Sequence, residues 1–182
     1  MNKLTGFIKQ FEYYKSLGDQ TINCLTFEEL QKEFVQNTNS IAVLVNHLSG
    51  NMLSRWTNFL TEDGEKAWRN RDQEFISSFT TKEELINRWN KGWNCFLSGL
   101  KSITDNDLEK IIYIRNEAHT ISEAINRQLS HYPYHIGQMV FLGKLIKGEE
   151  WQSLSIPKGE SLQYNTQKFL ENKGKHRFKD NT

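Results

Sequence analysis

Apolar residues recur at helical spacing along four separate stretches of this 182-residue chain, and only two prolines interrupt it. A pattern of i, i+3/i+4, i+7 demands a helix with one buried side, whereas strand-like alternation here is short. None of the Asn-Gly or Asp-Gly pairs that mark hairpins separates it, so the expected class is all-α. The first helix is expected from about Leu4 to Leu25, with Phe7, Phe11, Tyr14, Leu17 and Ile22 on one face and Gly18 weakening its middle. The second follows Ser40, a suitable N-cap, and runs to about Leu60 with Ile41, Leu44, Val45, Leu48, Met52, Trp56 and Phe59 in line. The third opens at Thr81 and Glu84, a capping-box pattern, and carries Leu85, Trp89, Trp93, Phe96 and Leu100, with both tryptophans read as core. The fourth opens at Thr120 and Glu123 and carries its stripe from Ile121 to Gly148.

Between the second and third helices lies TEDGEKAWRNRDQEFISSFT, a charged stretch with no clear period. It reads as a long crossover, which in a four-helix bundle lets consecutive helices run parallel. One domain over residues 1–182 suits this length, with an irregular tail from about residue 150 and fraying at the last residues, NKGKHRFKDNT.

Apolar residues at 37%, charged residues at 25% and a formal net charge of +1 describe an ordinary globular chain with no basic face, so nucleic acid is not an expected partner. No run approaches the ~20 apolar residues of a bilayer span, and the start shows no secretory pattern, so no membrane partner and a cytoplasmic location are expected. Cys24 and Cys95 form no CxxC pair and read as two free, largely buried thiols, with a catalytic cysteine as the lesser alternative.

The chemistry concentrates in His131-Tyr132-Pro133-Tyr134-His135. Residues four apart share a helical face, so both imidazoles reach one ion. His47 supplies a third ligand from the second helix, where Gly50 one turn later leaves room for a ligand or ion. The line Ala124, Gln128, His131, His135, Gln138 is mostly polar beside an apolar stripe, and buried polar groups must find partners. A metal held by facing helices is one way to provide them; a hydrogen-bonded core role for each histidine is the other. Three imidazoles without a carboxylate suit zinc, nickel or iron rather than magnesium or calcium, and leave a coordination position open. HYPYH lacks the glutamate of HExxH and with it the general base of the zinc proteases. His119 lies off the face of the pair and His176 sits in the tail; Pro133 should kink the helix between its two ligands.

Asn46-His47-Leu48, Ser54-Arg55-Trp56, the loop from Phe59 to Lys66, Arg127 to His131 and His135 to Gln138 together resemble the DinB/YfiT-like superfamily of small bacterial metalloproteins, in particular a subfamily of unknown function. The likeness covers about Phe7 to Glu160. It implies a four-helix bundle in up-down-down-up order, a homodimer, and a three-histidine site holding zinc or nickel. Pro133 departs from the superfamily pattern, where a helix former is usual. Relatives with known activity are thiol transferases or thiol-dependent isomerases, so the leading expectation is a metalloenzyme joining a low-molecular-weight thiol to an electrophile. A hydrolase using metal-activated water, or a non-catalytic metal-binding protein, are the alternatives. Arg55, Arg69, Arg71 and Asp72 are candidates to hold an anionic small-molecule substrate at the mouth, against the reading of a solvated loop that pairs with itself.

Overall fold

A computed structural model describes residues 3–171 and residue 173. Six α-helices, three short 3-10 turns and one two-stranded sheet account for its regular structure among the described residues. α1 spans Lys3–Cys24, α2 Phe27–Leu30, α3 Ile41–Trp56, α4 Lys82–Lys101, α5 Ile121–Lys147 and α6 Ser161–Leu170. No helix is long and apolar enough to cross a membrane among these residues.

The caps act where side-chain chemistry places them. Ser40 accepts from the Val43 amide, Thr81 from Glu84, and Thr120 closes a full capping box with Glu123. Glu84 reaches one residue beyond the expected box, to the Thr80 amide and hydroxyl, each at 2.8 Å. α3 ends at Trp56 rather than near Leu60, because Asn58 turns the backbone left-handed with φ 48°.

The buried side chains form one contiguous cluster in which α3 packs on α4 and α1 on α5. Trp89 and Trp93 are core residues, as their spacing predicted. Gly18, expected to weaken α1, permits close packing: a Cβ there would fall 2.9 Å or less from two ring carbons of Trp89. Phe11, Phe96, Trp93 and Tyr132 meet in edge-to-face pairs, with Trp93 tilted on Phe96, at centroid distances of 4.5–6.0 Å and join α1, α4 and α5. α5 continues through Pro133 without interruption.

The all-α expectation requires correction. β1 (Ile111–Ile114) pairs antiparallel with β2 (Glu117–Thr120), Ile111 opposite Thr120 and Ile114 opposite Glu117. Arg115 and Asn116 make the turn with φ of 58° and 61°, the left-handed pair that usually calls for Asn-Gly. A distant residue stabilises this turn instead. The Asp63 carboxylate accepts from the amides of Arg115 at 2.9 Å and Asn116 at 2.8 Å, while the Gly64 amide donates to the Tyr113 carbonyl at 2.8 Å.

The tail expected to be irregular includes α6, a helix with no buried residue, and the expectation for residues 172–182 falls outside the described residues except at 173. Cys24 is exposed and Cys95 half-buried, so the thiols are less buried than their composition-based reading held.

Candidate metal centre

α3 presents His47 and α5 presents His131 and His135 to one point. Tyr132 fixes the two helices against each other there: its ring is fully buried and its hydroxyl donates to Asn51 Oδ1 at 3.1 Å, one turn beyond His47. His131 Nε2 lies 3.3 Å from His47 Nε2 and 3.1 Å from His135 Nε2, and the three potential ligand atoms all fall within 4.8 Å of one another. Nitrogens about 2.0–2.1 Å from a tetrahedral zinc would be about 3.4 Å apart, so the spacing suits a divalent ion. No carboxylate belongs to the cluster among the described residues.

The outward nitrogens set the tautomers. His47 Nδ1 faces Glu74 Oε2 at 3.0 Å, and His135 Nδ1 faces Gln138 Oε1 at 2.8 Å. Both partners are acceptors, so each Nδ1 carries the proton and each Nε2 turns a lone pair inward. His131 Nε2 can satisfy one of those lone pairs by donation and not both. Convergent lone pairs without enough protons suit a cation, so the cluster could hold a metal ion. Protonation is disfavoured as well: burial, followed by the nearby His135 and His47, pushes the His131 pKa down to about 3. Burial also lowers that of His135.

Glu74 belongs to the crossover and gave no signal in the sequence, which offers neither period nor motif there. It sits in a 3-10 turn, Asp72–Phe75, that Asn46 holds against α3 by donating its side-chain amide to the carbonyls of Gln73, Glu74 and Ile76 at 3.2–3.3 Å. Arg69 grips the same carboxylate as a fork, Nε to Oε1 at 2.7 Å and Nη2 to Oε2 at 2.9 Å. Burial raises the Glu74 pKa, but His47 and Arg69 outweigh it and hold the carboxyl below its usual range. The space at Gly50, expected to admit a ligand or ion, is filled by this side chain: a Cβ there would fall 2.6 Å from Glu74 Cδ. Phe75 of the same turn stacks on the His47 ring at 4.7 Å.

A cavity of about 350 Å³ opens over the histidines. Arg55, Arg69 and Arg71 line it as the sequence suggested, whereas Asp72 does not; Arg115 from the hairpin and Arg127 from α5 join them without having been foreseen. Gln128, one turn before His131, is 2% exposed and lines the same space with an Oε1 that has no hydrogen-bond partner among the described residues. His119 stands apart on β2, its Nδ1 bonded to the Glu117 carbonyl at 2.9 Å, and His176 lies outside the described residues. Neither cysteine lines the cavity.

Residues 1–160 match the model of a family described as "Protein of unknown function (DUF1572)". The chain belongs to the DUF1572 family. No curated protein and no solved structure matches it. The DUF1572 match takes in all three histidines, Glu74 and all five arginines of the cavity, and stops before α6.

Proposed function

We propose that this DUF1572 protein is a DinB-like four-helix bundle in up-down-down-up order whose His47, His131 and His135 hold one divalent ion, zinc or nickel, and that it joins a low-molecular-weight thiol to an electrophile. The inward pair of Nε2 lone pairs, set by Glu74 and Gln138, is the observation that carries the metal reading. When bound, the ion would supply a Lewis-acidic position at which a thiol loses its proton at neutral pH. His47 and His135 are oriented by their outer partners, and Phe75 shields one face of the His47 ring from water.

The cavity lining favours this over hydrolysis. It contains no Asp, Glu or Tyr, so among the described residues no carboxylate or phenol is placed to take a proton from water, while Glu74 is occupied by His47 and Arg69. Thiol transfer asks less of the protein, since the ionised thiol is already the nucleophile.

The test is metal content and activity together. Wild type purified without an affinity tag and dialysed should retain about one zinc or nickel per chain by mass spectrometry. Alanine at His47, His131 or His135 should remove most of it, because two imidazoles hold the ion far less tightly. Conjugation of a small thiol to an electrophile should disappear on chelation. Equal metal in wild type and all three variants would leave an interaction protein with core histidines as the better account. A homodimer and a cytoplasmic location remain part of the proposal, and sedimentation velocity tests the first.

A further inference from the structure

The cavity over the histidines is charged far out of proportion to the chain. Five arginines line it and no carboxylate does, although the whole protein has a net charge of only +1. Three of the five are neutralised from behind: Glu65 pairs with Arg55 at 2.9 Å, Arg69 at 3.3 Å and Arg115 at 3.1 Å, and Glu74 pairs with Arg69. Two carboxylates thus answer three guanidinium groups. Arg71 and Arg127 have no carboxylate partner among the described residues.

These two are not incidental surface charges. Arg71 lies over the Phe75 ring at 5.4 Å, and Phe75 stacks on His47, so its guanidinium is carried at a set distance from the histidines. Arg127 stands one helical turn before His131 and lines the same cavity. Gln128, next to Arg127 on α5, lines the same cavity and adds a buried acceptor with no donor among the described residues. Like charges gathered round one concavity cost free energy unless an anion answers them.

We propose that this cavity binds a small organic dianion, with Arg71 and Arg127 holding its oxyanion groups and Gln128 accepting from a hydroxyl, amine or thiol of the same molecule. The proposal names the substrate class of the site above and rests on the histidines being its reacting end. A volume of about 350 Å³ is at the small end for ligand pockets, which suits a metabolite-sized molecule. Two cations without a carboxylate partner, both lining one cavity, select two negative charges over one. Carboxylates and phosphate monoesters share the required oxyanion chemistry.

The full chain, zinc-loaded and metal-free, is titrated calorimetrically with succinate, methyl phosphate and the monoanion butyrate. Arg71→Gln and Arg127→Gln, both at exposed positions, are compared with wild type, with circular dichroism as a check on folding. Succinate or methyl phosphate should bind more tightly than butyrate, and each variant should weaken that binding by about tenfold, the loss of one charged partner, while zinc content is unchanged. Preference for succinate would assign the anion as a dicarboxylate, and for methyl phosphate as a phosphate ester; either supports the proposal. Butyrate binding as well as succinate, or affinities in both variants equal to wild type, would overturn it, as would dianion binding that needs zinc and ignores the arginines. Zinc content is read separately. A wild type that holds no zinc would remove the metal centre, and the arginine dependence in metal-free protein would still decide the anion site.

Discussion

Glu74 determines which nitrogen of His47 faces inward, as Gln138 does for His135. Replacing Glu74 with Gln should weaken metal binding about 10–100-fold, as loss of an outer partner does, and should lower thermal stability because Arg69, with a side chain 2% exposed, loses one of its two carboxylate partners. Competition with a chromophoric chelator measures the first; unchanged affinity would show that Glu74 does not set the tautomer. Gly50→Ala approaches the same point from behind, since the added methyl displaces the Glu74 carboxylate without touching a ligand. Its loss of affinity should resemble that of Glu74→Gln, and the double variant should fall well short of the sum. His131 gives a pH dependence. Its folded pKa of about 3 lies below the ordinary 6.5, so the unfolded chain takes up a proton first as pH falls. The stability of chelator-treated protein should therefore be full above pH 6.5 and decline towards pH 3. Melts between pH 7.5 and pH 5, above the range where Glu74 and the other carboxylates titrate, should show the fall, and His131→Asn should flatten it.

At the scale of elements, the hairpin shows how local preference is overridden. Arg115-Asn116 is a poor sequence for a left-handed two-residue turn, and Asp63, more than fifty residues away, accepts from both turn amides. Asp63→Ala should destabilise the protein by about 1 kcal/mol, measured by urea denaturation, because each exposed hydrogen bond is worth little. It should also loosen Arg115 from the cavity rim. Full stability with an unchanged hairpin would mean that pairing of β1 with β2 suffices. α3 and α5 were legible because their caps, periods and histidine spacings are local facts. The crossover was legible only as charge. Its 3-10 turn depends on Asn46 of α3, and no pattern within the stretch from Thr61 to Thr80 announces that contact.

Across the whole molecule, the metal should add stability without being a condition of folding, because the contiguous core joins α1, α3, α4 and α5 through apolar side chains. Chelator-treated protein should keep its far-UV circular dichroism. Zinc at about a thousandfold over Kd adds about 4 kcal/mol, and at about 2–4 °C per kcal/mol for a chain of this size its melting temperature should rise by roughly 8–16 °C. No rise would count against a specific site. The sequence by itself determined the four long helices, their caps, the aromatic core and the pairing of His131 with His135, since each depends on residues within a turn or two of one another. Gln138 as partner of His135 was within reach for the same reason, three residues away on one face. Only the tertiary structure decided that Glu74 fills the space at Gly50, that Asp63 builds the hairpin turn, and that Arg115 and Arg127 complete a cationic cavity. Those contacts join segments far apart in the chain, where the free energy of a polar group depends on which partner the fold delivers, and no local spacing encodes that delivery.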